Sequence, residues 1–196
     1  MLTSCFTNNR SHQIRASVFD VVDKGLDIRS TRIDKAIEFA KAKHAGQTRR
    51  GTDLPYVSHP IAVATIVATY KQSKQIEELI IASLLHDTLE DTDTTYEELR
   101  NTFSPLIASL VHELTNDVDQ MKQVGKLSYQ KRKMQHMSSW GLVIKLADRL
   151  HNVSDTPTKK MISDTLQLVR HLEHIRPLSL TQHTIAQQIK DICNSH

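Results

Sequence analysis

Only two cysteines occur in the 196 residues, Cys5 and Cys193, far apart and in no paired spacing. That excludes a disulfide framework and a thiolate zinc cluster, and it fits a reducing compartment. Glycine and proline are equally scarce, at five each. A sandwich or barrel of short strands needs more turn formers than this, so long helices are favoured. No apolar run is long enough for a secretory signal or a membrane span, and polar side chains are scattered through residues 1–20. The expectation is a cytoplasmic protein with no membrane association. Neither charge sign dominates: 25 basic against 22 acidic residues, a net +3, is too even to argue for a nucleic-acid partner.

A hydrophobic content of 39% over this length supports one core without staples. Residues 31–196 are expected to form one domain behind a polar leader, residues 1–30, which is expected to be loosely ordered. From Thr31 the apolar residues Ile33, Ala36, Ile37 and Ala40 recur at helical spacing, with Ser30 or Thr31 as N-cap. The segment from Gly46 to His59 breaks that period, and Pro60 is expected at the first position of the next helix. A third helix runs from about Gln75 to Leu85 and ends in the polar stretch His86 to Asp91. Thr95 and Glu98 have capping-box spacing, and Ser104-Pro105 opens a further helix. The run from Trp140 to Leu150 is apolar enough to be buried; its periodicity admits a strand but favours a helix. Two amphipathic helices, near 158–174 and 181–193, flank Pro177. The reading is all-α, with seven to nine helices and no β alternation.

What the sequence does have is histidine, 11 residues in all. His86 and Asp87 are adjacent at the end of a hydrophobic helix, where an imidazole and a carboxylate can face one ion. Alone this pair reads as a solvated helix end. Glu90 follows His86 by four residues and Asp91 follows Asp87 by four, so each acid is placed one helical turn from a ligand-type side chain. His59, just before a helix, offers a donor from a second segment. Asp148 lies inside the apolar run, where a lone buried carboxylate is costly and requires a metal or arginine partner. Two imidazoles and two carboxylates suit Mn²⁺ or another hexacoordinate divalent ion better than closed tetrahedral zinc, and leave positions for a nucleophilic water. A purely structural ion is the competing reading, against which the uncommitted Glu90 and Asp91 argue.

Four blocks occur in order: Gln47-Thr48-Arg49-Arg50, Pro55-Tyr56 through His59-Pro60, Leu84 through Thr94, and Lys145-Leu146-Ala147-Asp148-Arg149 through Asn152. Together they resemble the hydrolase domain of the RelA/SpoT family, an HD-domain helical bundle, over roughly residues 33–152. In length the chain is similar to the family's small stand-alone alarmone hydrolases, so no synthetase domain is expected. The resemblance implies that His59, His86, Asp87 and Asp148 hold Mn²⁺ and that Glu90 and Asp91 orient or deprotonate the attacking water. It further implies that Arg49, Lys145, Arg149 and Asn152 meet the substrate, guanosine tetraphosphate or pentaphosphate, which loses pyrophosphate from its 3′ position. One extra residue before Pro55-Tyr56 leaves Arg49 and Arg50 as alternatives, with Arg49 favoured by counting from Gln47. Lys126, Lys131, Arg132 and Lys133 form a basic segment that is either a solvated helix face or a grip on distal phosphates. An HD phosphohydrolase for another nucleotide and a catalytically silent nucleotide-binding module are the other two functional readings. The oligomeric state is left open.

Overall fold

The computed structural model describes residues 31–196; the expected leader, residues 1–30, and the N-cap candidate Ser30 lie outside the described residues. Backbone amides of a chain poor in turn formers find their partners within helices, and the described residues form eleven helical segments and no strand. Eight of these have ten residues or more, in keeping with the expected seven to nine. The remainder are one four-residue turn and two pieces of seven.

In chain order the first three are α1 (Thr31–Lys43), α2 (Ser58–Tyr70) and α3 (Ile76–Leu85). Then come the single turn α4 (Thr88–Asp91), α5 (Tyr96–Thr102), α6 (Pro105–Leu114), α7 (Val118–Val124) and α8 (Lys126–His136). The chain continues with α9 (Ser139–Ser154), α10 (Lys159–Ile175) and α11 (Leu180–Ser195). Short polar side chains set the starts. Thr95, Ser104, Ser138, Thr158 and Ser179 each accept a hydrogen bond from the backbone N–H three residues on.

Two local expectations are corrected. Pro60 is the third residue of α2, not the first, because the helix already begins at Ser58. It is tolerated there because first-turn N–H groups have no intrahelical acceptor. His59 accordingly sits within the first turn of the helix instead of preceding it. At α5 the box is half made: Thr95 caps the helix, but the Glu98 carboxylate turns to Lys43, 3.0 Å away on α1. A charged partner outweighs a neutral backbone donor at that exposed position. The reciprocal box is instead completed at α11 by Ser179 and Gln182.

The stretch that admitted a strand is α9, and it runs through the middle of the molecule against α2, α3, α6, α10 and α11. Every residue from Gly141 to Asp148 is buried, so the helix is apolar nearly all round, as an enclosed helix must be. Its start is tied down twice. Ser138 caps Gly141 N–H, while the Glu113 carboxylate accepts from Ser138 N at 2.5 Å and from Ser138 Oγ at 2.7 Å. A carboxylate at a helix N-terminus is favoured by the helix dipole.

Because the Ser138 hydroxyl serves both the helix and Glu113, Ser138→Ala is expected to destabilise the fold by about 0.5–2 kcal/mol. Urea unfolding measures this directly. Unchanged stability would show that Glu113 holds the helix start without the hydroxyl.

Candidate metal centre and catalytic cleft

Helix α3 is wholly apolar from Leu79 to Leu85 apart from Ser83, and its last turn leaves carbonyls without intrahelical donors. His86 supplies one: its Nδ1–H donates to the Ser83 carbonyl at 2.7 Å. That bond orients the ring and leaves Nε2 with the lone pair, the arrangement of a metal-ligating histidine. Nε2 is buried and has no hydrogen-bond partner among the described residues. Its near neighbour is Asp87 Oδ2, at 3.0 Å. The chain turns at Asp87, which caps α4, so the polar stretch is not a continuation of α3.

His59, from the first turn of α2, brings Nε2 to 3.6 Å from Asp87 Oδ2 and 3.3 Å from Asp148 Oδ1 of α9. The ligand atoms of His59, His86 and Asp87 all lie within 4.8 Å of one another. An orphaned, buried imidazole nitrogen amid two carboxylates and a second imidazole fits a divalent cation. Asp148 already has partners of its own. Lys145 Nζ lies 3.0 Å from Oδ2, and Asn152 Nδ2 donates to Oδ1 at 2.5 Å. The expected metal or arginine partner is thus preceded by a lysine one turn back on the same helix.

The charges are strongly coupled. Burial would raise both carboxylates, but His86 and His59 hold Asp87 well below the usual carboxylate range, and Lys145 and His59 do the same for Asp148. Burial lowers His59. It works on His86 in the same direction, yet the Asp87 and Asp148 carboxylates outweigh it and leave His86 raised. Behind His59, its Nδ1 meets His151 Nδ1 at 2.8 Å. Burial and the charge of His59 push His151 down to about 4, so His151 is neutral and acts as acceptor when His59 donates.

Glu90 and Asp91 do not share one environment, although their spacing placed both a turn below ligand-type residues. Both sit on the single turn α4, where adjacent side chains point about 100° apart. Asp91 stays with the centre: Tyr56 Oη donates to Asp87 Oδ2 at 2.7 Å and approaches Asp91 Oδ2 at 3.3 Å. Burial, then Asp87 and Glu90, raise the Asp91 carboxyl. The Glu90 carboxylate faces Asn116 instead, accepting from its backbone N–H and its side-chain amide at 2.9 to 3.1 Å. Tyr56, His151 and Asn116 had no role assigned from sequence. Tyr56 and His151 lie inside the recognised blocks and were open to assignment, whereas nothing links Asn116 to Glu90 across 26 residues except the fold.

A cleft of about 540 Å³ opens over the centre, lined among others by His59, Asp87, Asp148, Glu90 and Asp91. Arg49, Arg50, Lys145, Arg149 and Asn152 line it too. Residues 47–56 form a tight excursion, with Arg49 N–H on the Leu54 carbonyl, Tyr56 N–H on the Gln47 carbonyl and Gly51 at a φ of 74°. Arg49 is not a free fork. Its Nε donates to Asp155 at 3.2 Å and its Nη2 to Asn152 at 2.6 Å. Lys145 is committed to Asp148, while Arg149 keeps a buried Nε with no partner among the described residues. Of the basic segment, Lys126 lines the cleft; Lys133 turns away to carbonyls at the end of α6, and Arg132 faces a different cavity.

All-helical fold, buried histidine–aspartate pair and separated second histidine and aspartate define a class. The HD domain family matches residues 36–194, and the chain belongs to it. Among curated relatives, a guanosine-3′,5′-bis(diphosphate) 3′-pyrophosphohydrolase of Aquifex aeolicus is 37% identical over 157 residues, covering 72% of this chain and 21% of that protein. The chain therefore spans about a fifth of that relative's length. The pyrophosphohydrolase MESH1 of Danio rerio is 37% identical over 125 residues, 62% of this chain and 67% of that one. A solved structure described as a metazoan SpoT orthologue that hydrolyses ppGpp superposes with a TM-score of 0.71 at 27% identity, covering 85% of this chain and 96% of that one. No helix among the described residues is long and apolar enough to cross a membrane.

Divalent-ion binding should release protons, since the ion must displace the proton that Asp87 favours on His86. Affinity is expected to climb with pH up to the raised value of His86 and to level off above it. Calorimetric titration in buffers of different ionisation enthalpy reads the proton count; affinity that is flat through the acidic and neutral range would contradict the assignment of His86 as a ligand.

Proposed function

We propose that the chain is a metal-dependent 3′-pyrophosphohydrolase of guanosine tetraphosphate and pentaphosphate. The carrying observation is that the orphaned nitrogen of His86 lies 3.0 Å from Asp87, and that Asp87 lines one cleft together with His59, Asp148 and two further acids, Glu90 and Asp91. The likeness to the Danio rerio pyrophosphohydrolase, with two thirds of its length covered, supports the substrate.

His59, His86, Asp87 and Asp148 would hold the ion, and the mixed nitrogen and oxygen donors suit Mn²⁺. When bound, a divalent ion neutralises phosphate charge and lowers the pKa of water. The chain's own residues do the rest. Water attacks the phosphorus bonded to the ribose 3′ oxygen; that P–O bond breaks, and nucleoside 5′-diphosphate or 5′-triphosphate and pyrophosphate leave. Asp91, raised by burial and by its acidic neighbours, accepts the water's proton. Tyr56 keeps that carboxylate in place through the hydroxyl it shares with Asp87. Glu90 orients the water from the opposite wall. Arg149, whose Nε lacks a protein partner, and Lys126 meet phosphate oxygens. Arg49 holds the nucleoside end through a guanidinium whose edge is fixed by Asp155 and Asn152.

Purified protein with Mn²⁺ should convert guanosine tetraphosphate to guanosine diphosphate and pyrophosphate. Combined Glu90→Gln and Asp91→Asn substitution should cut turnover by at least about 10²-fold while sparing bound metal. Chromatography of products together with elemental analysis tests both parts. Equal turnover of guanosine diphosphate and tetraphosphate would overturn the proposal in favour of a general nucleotidase.

A further inference from the structure

Glu90 sits on a helix of a single turn and its residue is exposed, so the backbone gives its side chain little direction. An exposed glutamate of this kind samples many rotamers, and ordering it costs entropy. Here one residue orders it. Asn116 donates its backbone N–H to Oε2 at 3.0 Å and its Nδ2 to Oε2 at 2.9 Å and Oε1 at 3.1 Å.

The orientation of the Asn116 amide is itself dictated. Its Oδ1 accepts from Gln130 Nε2 at 2.8 Å, and Gln130 is 2% exposed. Lys133 Nζ stands 3.5 Å from the same oxygen while donating to the Leu114 carbonyl at 3.0 Å and to that of Thr115. Those carbonyls belong to the end of α6, where no helical donors remain and a cation is favoured. One residue further, Asp117 N–H donates to Tyr129 Oη at 2.7 Å. Three side chains of α8 thus pin residues 114–117, and a flipped Asn116 amide would turn its NH₂ on two donors and its oxygen on a carboxylate.

We infer that Asn116 is the positioning residue of Glu90, holding its carboxylate on the cleft wall through an amide that Gln130 and Lys133 of α8 lock in one orientation. The inference rests on the proposed hydrolase reading for its catalytic consequence. Asn116 lines the same cleft, but its backbone N–H and amide are taken up by Glu90, Gln130 and Lys133, so it acts through Glu90. Helix α8, which already lines the cleft through Lys126, thereby also sets the position of Glu90.

Asn116→Asp is the discriminating variant. It preserves shape and the acceptor for Gln130 and Lys133, but replaces the Nδ2 donor with an oxygen facing the Glu90 carboxylate. With Mn²⁺-loaded protein and guanosine tetraphosphate, kcat is expected to fall by about ten- to a hundredfold with KM within about twofold. Melting temperature and metal content should stay at wild-type values. In a Glu90→Gln background the same change should bring no further loss, because the group it acts through is gone. Unchanged kcat, or an equal loss in both backgrounds, overturns the inference. Should Asn116→Asp fail to fold, Asn116→Ala gives the same comparison, since it leaves the backbone donor in place. If wild type leaves guanosine tetraphosphate untouched, the hydrolase reading falls, and the clamp is judged by the carboxyl ¹³C resonance of Glu90, assigned with Glu90→Gln. A resonance that moves on Asn116→Asp supports the clamp, and one that does not move overturns it.

Discussion

Two carboxylates, Asp87 and Asp148, are drawn into the interior beside two imidazoles, and the rest of the molecule is arranged around that burial. Removing a charge from water costs several kcal/mol per ion even after relaxation, so each carboxylate needs compensation from its surroundings. For Asp148 this comes from Lys145 and Asn152 on its own helix and from His59 across the α2–α9 contact. For Asp87 it comes from His86, His59 and the Tyr56 hydroxyl. The partners come from α2, the end of α3, α9 and the 47–56 excursion. A divalent ion placed among them would tie these segments together, which couples ion binding to stability.

The same compensation reaches outward to the cleft. Asp148 holds Asn152, Asn152 holds Arg49, and Arg49 is closed off by Asp155. A change at Arg49 is therefore transmitted by hydrogen bonds to the Asp148 carboxylate. Arg49 presents a fixed guanidinium plane instead of a free fork, and Lys145 is a structural counter-charge. The unpaired cation at this depth is Arg149, whose Nε has no partner among the described residues.

Adjacent in sequence, Glu90 and Asp91 are held by different partners. Asp91 belongs to Tyr56 and the buried centre, while Glu90 belongs to Asn116 and through it to α8. Both sit on the single turn α4, where adjacent side chains point about 100° apart and so reach different partners. Both carboxylates line the cleft, each held there by a different partner.

Local chemistry was enough to make much of this readable in advance. Scarce glycine and proline, apolar periodicity and the hydroxyl caps at Thr95, Ser104 and Thr158 depend on neighbours within a turn, so the sequence by itself determined an all-α chain and the places where several helices begin. It also pointed to His59, His86, Asp87 and Asp148 as ligand-type residues, Asp148 because a lone buried carboxylate is costly and the full set through the resemblance of their motifs to the RelA/SpoT hydrolase domain. Tertiary structure decided the rest. Whether residues 140–150 were strand or helix depended on the five helices that enclose α9, and Glu98 left its box for Lys43 because α1 lies beside α5. The fates of Lys133, Lys145 and Arg49, and the separation of Glu90 from Asp91, were set by partners 3 to 106 residues away in the chain. Hydrogen bonds act over about 3 Å of space, and sequence distance carries no information about which groups the fold will bring that close.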